Sequence, residues 1–220
     1  MIQPHTFSFL KELAENNNRE WFMANKDRYE TARENVIDFT AEFIKELQKI
    51  DPQLDKDLEA KKCIMRIYRD IRFSKDKTPY KTNFGISIPT HGQKAGRAEY
   101  FLHLASGNSF IAGGYWMPQP DHLKAIRQEI DYNGQTLKAI IEDKEFVKLF
   151  GDFTTQDQLK NLPKEYSADN ENIKLLKLKS FVALHNLTED ELKESTAPAM
   201  VASICKRIAP LNEFINNALA

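Results

Sequence analysis

Between Lys61 and Lys81 the chain carries eight cations, Lys61, Lys62, Arg66, Arg69, Arg72, Lys75, Lys77 and Lys81, against two acids, Asp70 and Asp76. Such an excess seeks an anion when the fold gathers it. Arg66 and Arg72, with Arg69 between them, offer planar two-pronged contacts to phosphate or carboxylate. Lys75, Lys77 and Lys81 add point charge, and Tyr68 or Tyr80 carries a hydroxyl to orient a ligand. Asp70 lies among the arginines, where it either steadies their side chains or serves as a general base. The same residues also support a purely structural reading, in which the arginines pair with acids and helix ends while residues 76–82 return the chain. Residue types alone leave both readings open.

Two further places add candidates. Strand phase puts His103 near Glu99 and opposite the arginine row, as an acid-base partner for Asp70 or as a structural histidine. Gly113 and Gly114, followed by Tyr115 and Trp116, mark either a bulge or the close approach of a ligand, because glycine inside a strand gives up packing. Metal and cofactor chemistry find no motif. The five histidines, His5, His91, His103, His122 and His185, stand at no common ligand spacing, and neither Cys63 nor Cys205 has a ligand neighbour. No Walker loop, dinucleotide fingerprint or nucleophile elbow occurs. The expectation is therefore no cofactor and no metal.

The elements that must position these groups belong to a chain of 220 residues with 41% hydrophobic and 29% charged content, ordinary for a globular protein with a real core. One α+β domain over residues 1–220 is expected. A net charge of -1 argues against a general charge-driven affinity for nucleic acid, so anion recognition should be local. Two distant cysteines suit a reducing compartment. No leader pattern and no apolar run of about 20 residues is seen, which points to a soluble, cytoplasmic protein without a membrane segment.

Alternation predicts strands over 63–73, 84–89, 98–105 and 109–116, the last two joined by a tight turn at Ser106-Gly107-Asn108. The polar stretch His91 to Arg97 connects the middle pair. With apolar rows on one face of this antiparallel meander, Arg66, Tyr68, Asp70, Arg72, Ser87, Glu99 and His103 share the other and form a site wall. Helical spacing predicts a helix over 7–15, a second from Arg19 to about Ile50, and a helix from Asp121 ended by Asn133-Gly134. Others are predicted over Gln135 to Phe150, briefly around Ile173 to Leu178, and from Ala197 to Leu219 with Pro210 as a kink. Residues 180–185 read as a further strand, and Thr188 with Glu191 as a capping box. The fold class is α+β, an antiparallel sheet of four or more strands with N- and C-terminal helices packed on one face.

Four segments carry a resemblance: Asn16-Asn17-Asn18-Arg19-Glu20-Trp21-Phe22, the run from Arg69 to Lys81, Gly113-Gly114-Tyr115, and Leu159 to Tyr166. Through them the chain resembles the microbial family called domain of unknown function 2461, from about Phe7 to beyond Phe181. The resemblance implies that the basic strand and loop are family features, and it brings no activity with it. Ala112 and Glu165 each stand where the family pattern has glycine, and glutamate disfavours a left-handed bend before Tyr166.

Two functions are expected from these residues. In the first, a cleft binds a phosphate- or carboxylate-bearing small molecule through Arg66, Arg69, Arg72, Lys75, Lys77 and Lys81, with acid-base help from Asp70 and His103. In the second, the same patch is a non-catalytic module that docks an acidic partner or a nucleic-acid backbone.

Overall fold

The computed structural model describes residues 1–90, 96–153 and 157–220. Of the polar connection expected from His91 to Arg97, residues 91–95 lie outside the described residues. Among those described, nine helices and four strands run in the order α1 Pro4–Glu15, α2 Arg19–Ala24, α3 Lys26–Gln48, α4 Ala60–Cys63, β1 Asn83–Pro89, β2 Glu99–Ala105 and β3 Ser109–Tyr115. Next come α5 Pro120–Ile141, α6 Lys144–Phe150, α7 Ile173–Leu176, β4 Phe181–Leu187, α8 Glu189–Lys193 and α9 Ala197–Asn217, which contains Pro210. The α+β class is as expected. The sheet is antiparallel in the order β1-β2-β3-β4, and no helix among the described residues is long and apolar enough to cross a membrane.

The chain divides into two compact units. The first comprises Met1–Ile88, Phe101–Ile111 and Asn186–Ser203; the second comprises Pro89–Tyr100, Ala112–His185 and Ile204–Ala220.

In the first unit the helices form where the apolar spacing says they should. α1 buries Phe7, Phe9, Leu10 and Leu13, and α3 buries Ala32, Val36, Phe39, Phe43 and Leu47 at steps of three and four. The single helix expected from Arg19 to Ile50 is instead two. The backbone leaves helical geometry at Asn25 (φ -114°, ψ 22°), whose side-chain amide donates to the Trp21 carbonyl at 2.9 Å and so closes α2. The β2–β3 turn uses Gly107 at φ 73°. Glu189 of α8 holds it, accepting from Ser106 Oγ at 2.8 Å and from the Gly107 amide at 3.0 Å. The capping box at Thr188 and Glu191 starts that helix as expected, and the Ile2 amide donates to the Leu192 carbonyl at 2.8 Å.

The strand expected over 63–73 is corrected. Residues 60–63 are helical, and residues 64–69 pair with the chain ahead of and within β1 only through isolated antiparallel bridges, Tyr68 with Tyr80 and Ile64 with Ile86. Backbone hydrogen bonds continue from Met65 N to Gly85 O (2.8 Å) through Lys81 N to Ile67 O (2.7 Å) and end with Arg69 N to Pro79 O (2.9 Å). Alternation therefore holds only locally, with Ile67 buried between exposed Arg66 and Tyr68; Met65 is exposed, and Phe73 is 96% exposed. Beyond Arg69 the chain has left its partner, and no pleat remains to sort side chains by face. The fourth strand of the sheet is β4, over the stretch read as a further strand.

In the second unit, α5 runs through the expected stop at Asn133-Gly134 with a kink at Asn133 (φ -124°, ψ 29°). Asn172 fills the space beside Gly134 that a Cβ would occupy, and its amide donates to the Ile130 carbonyl at 3.1 Å. A side chain from outside the helix thus takes up a carbonyl at the irregular turn, where the helix bends and continues.

Candidate functional site

Two of the segments singled out in the sequence meet in the first unit, and the three consecutive asparagines show how. Asn16 ends α1 by donating to the Glu12 carbonyl at 3.0 Å, while Asn18 caps α2 by accepting from the Trp21 amide at 2.9 Å. Asn17, between them, bonds the backbone of Tyr80 twice, accepting from its amide at 3.1 Å and donating to its carbonyl at 2.9 Å. Its side-chain amide thus copies a β-strand neighbour and fastens the α1–α2 junction to the far end of the basic loop.

Around this joint the rings assemble. Phe22 stacks on Tyr80 with centres 4.0 Å apart and planes 15° apart, and Tyr68 lies 5.5 Å from Tyr80. Tyr29 lies 5.2 Å from Phe22. Tyr80 is 3% exposed and Tyr68 is 53% exposed, so the group presents one buried and one open tyrosine. Burial raises the Tyr80 phenol above its usual value, Tyr68 adds to this, and the Arg19 guanidinium opposes it from nearby.

The cations divide into two sets. Arg69 is spent within the loop, pairing with Asp76 at 2.5 Å and donating to the Thr78 hydroxyl and carbonyl. Asp76 in turn accepts from the Thr78 amide at 2.9 Å; the Thr78 backbone and side chain first, and then Arg69, hold its carboxyl below the usual range. Arg72 forms a two-pronged pair with Asp70 at 2.9 and 2.6 Å, on the surface, and lies 5.9 Å over the Phe73 ring. That pairing lowers the Asp70 value, which weakens it as a base. Lys77 donates to the Ile71 carbonyl at 2.9 Å, and Lys75 is exposed. For Arg69 and Arg72 the pairing is therefore the one the structural reading describes.

Arg19, Arg66 and Lys81 form the other set: like Lys61, Lys75 and Lys77 they have no ion-pair partner within 4.0 Å among the described residues, but Arg19 acts on Tyr80, and Arg66 and Lys81 act on each other. Lys81 is half-buried, and burial first, then the charge of Arg66, lowers its ammonium below the ordinary lysine value. Two like charges thus act on each other next to the stacked rings, and Arg66 also acts at longer range on Asp70, which is itself paired with Arg72.

The remaining candidates lie elsewhere. His103 stacks on Phe110 across the β2–β3 hairpin (4.7 Å, 3°), and no hydrogen bond among the described residues joins it to Asp70 or the arginines. Burial lowers its value, which favours the neutral ring. Glu99, Phe101 and His103 do share the less buried face of β2, opposite Tyr100, Leu102 and Leu104. The arginines are not part of that wall, because their segment is not a strand of the sheet. Gly113 and Gly114 belong to the second unit, and protein atoms take their room. A Cβ at 113 would overlap Ile208, and one at 114, where φ is 119°, would overlap the Phe181 carbonyl. Tyr115 is buried, its hydroxyl 2.9 Å from His122 Nδ1. Packing accounts for these three residues. Among the described residues no group of three or more His, Cys, Asp or Glu side chains is arranged to hold a metal ion.

Sequence reasoning missed Asn17 and the stacking role of Phe22. A signal was present: two helix ends need two asparagines, and the sequence supplies three. Comparison with known proteins found no match among curated proteins and none among solved structures. A family model described as "Conserved hypothetical protein (DUF2461)" matches residues 5–214 of the 220, and the chain belongs to that family.

Proposed function

We propose that the protein binds a small molecule bearing a phosphate or carboxylate at the joint between the α1–α2 junction and the basic segment. Arg66 and Lys81 hold the anion, Arg19 adds charge, and Tyr68 lies along the ligand. The observation that carries this reading is the pair of mutually repelling cations, Arg66 and Lys81, with no ion-pair partner within 4.0 Å among the described residues, next to the stacked Phe22 and Tyr80 rings. Like charges held together cost stability unless an anion joins them, and a bound phosphate would relieve that cost. Asp70 and His103 do not support proton transfer here, so the reading is of binding rather than catalysis. Two free, buried thiols, Cys63 and Cys205, support a reducing, cytoplasmic setting.

The sign of the pH dependence comes from Lys81. Its value lies below the ordinary one in the free protein, and an anion raises it; binding is strongest where Lys81 is protonated and weakens as pH rises through the free protein's value. Calorimetric titration with inorganic phosphate and with citrate tests the reading. Arg66→Gln with Lys81→Gln should lower affinity about tenfold or more. Unchanged binding in that double variant would defeat it.

A second reading is favoured by one observation, the 96% exposure of Phe73 beside Arg72 on a loop braced by Arg69, Asp76 and Thr78. A braced loop presenting an aromatic ring and cations suits docking to an acidic partner or a nucleic-acid backbone. Association that weakens steeply with salt and is lost in Phe73→Ala would favour docking; salt-insensitive association would count against it.

A further inference from the structure

The second unit contains a hollow of about 410 Å³ that plays no part in the Arg66 and Lys81 site. One side is the start of α5, where Pro120, Lys124 and Arg127 recur on a single helical face. The other side is the 157–166 connector, which is fixed rather than loose. Leu159 N donates to Lys177 O at 2.8 Å, Lys179 N donates to Asp157 O at 3.0 Å, and Gln158 bridges Leu178.

The charge in this hollow is unbalanced. Arg127 is half-buried and donates to the carbonyls of Leu176 (2.8 Å) and Leu178 (3.3 Å), with no carboxylate partner among the described residues. Carbonyl groups position a guanidinium without cancelling its charge, and burial lowers the Arg127 value accordingly. Lys164 has no ion-pair partner among the described residues, and Lys124 has only Glu165, at 3.9 Å. Three cations thus line the hollow against one acid.

Glu165 adds an independent observation. It keeps the left-handed bend despite its side chain, at φ 75°, one of only two non-glycine positive φ values among the described residues. Non-glycine residues held in this region are strained and concentrate at ligand clamps and switches. The Glu165 carboxylate stands on the rim, 3.9 Å from the Lys124 ammonium. Beside it Leu159, Leu162 and Pro163 supply apolar surface, with Leu162 46% exposed.

We propose that this hollow binds a small molecule carrying a phosphate or carboxylate on an apolar body. Arg127, Lys124 and Lys164 hold the anion, and Leu159, Leu162 and Pro163 lie against the apolar part. Glu165 must yield Lys124 to the ligand. The site is separate from that of Arg66 and Lys81, and shares no residue with it.

Phenyl phosphate, benzoate and inorganic phosphate titrated into the isotope-labelled full chain, followed by amide chemical shifts, test this. The expected result is that phenyl phosphate or benzoate shifts the amides of residues 121–127 and 162–166 more than inorganic phosphate does, and the stronger of the two names the head group. Lys124→Ala with Lys164→Ala, both on the surface, should weaken binding about tenfold. Glu165→Gly, which removes both the strain and the competing carboxylate, should strengthen it. Shifts confined to the surroundings of Arg66 and Lys81, no shift at about 10 mM probe, unchanged affinity in the double variant, or loss of binding in Glu165→Gly would each overturn the proposal.

Discussion

Replacing Asn17 by alanine should loosen the joint on which the first site depends, and the structure sets the size of the effect. Asn17 meets both backbone groups of Tyr80, a residue 3% exposed, at 3.1 and 2.9 Å. Alanine leaves a donor and an acceptor unmet, at about 1–3 kcal/mol each when water cannot reach them. Asn17 is itself half-exposed, so some water will reach, and the lower end applies: about 2 kcal/mol in total. For a chain of this length that corresponds to a melting temperature lower by about 4–8 °C. The Asn17→Asp variant keeps the acceptor and loses the donor, and should fall between the two. Thermal unfolding by circular dichroism gives the stability, and hydrogen exchange at the Tyr80 amide reports the joint itself. A loss under about 0.5 kcal/mol in Asn17→Ala, with the Tyr80 amide still protected, would refute the reasoning.

Gly114→Ala should be among the most damaging single substitutions, at about 4 kcal/mol or more, because its Cβ meets the Phe181 carbonyl and its φ of 119° disfavours any side chain; urea unfolding of purified protein checks this, and near-normal stability would contradict it. Acid should open the basic loop before the rest of the protein unfolds. Asp76 has its folded value depressed, so its contribution is present above the ordinary carboxyl value near 3.8 and is lost as pH falls through the lower folded value. Pepsin cleavage within 70–78 appearing below about pH 4 is the expected readout, and a loop equally protected at pH 2 and pH 5 would count against it. Burial pushes the Cys63 thiol up to about 11 and Cys205 well above its usual value, so neither should react with a thiol reagent at pH 8 until denaturant is added; prompt labelling of the native chain would show that one of them is accessible.

Most helical stretches were legible because the longer helices bury a stripe at a fixed spacing, and the capping box at Thr188 needs only residues three apart, whereas the breaks at Asn25 and after Ile141 and the short α4 were not. The 63–73 segment misled for a specific reason. Alternation records what a pleat would do with the residues, whereas a pleat requires a partner along its whole length, and this partner ends at Pro79. The ion pairs of Arg69 and Arg72 span seven and two residues, local contacts that composition hinted at without deciding. By contrast, Asn17 and Tyr80 are 63 residues apart, and no local pattern encodes a side chain that completes a distant backbone. Glycines 113 and 114 were visible as unusual, but their neighbours Ile208 and Phe181 come from much later in the chain.

The clasp of Glu189 on the Ser106–Gly107 turn, together with the bond from Ile2 to Leu192, has a consequence for synthesis. A ribosome making this chain exposes nearly all of the first unit long before the residues that fasten it leave the exit tunnel. During that interval the hairpin and the amino-terminal helices wait unfastened, so a chaperone or a slow codon stretch near residue 190 would act on a nearly complete but unlatched intermediate.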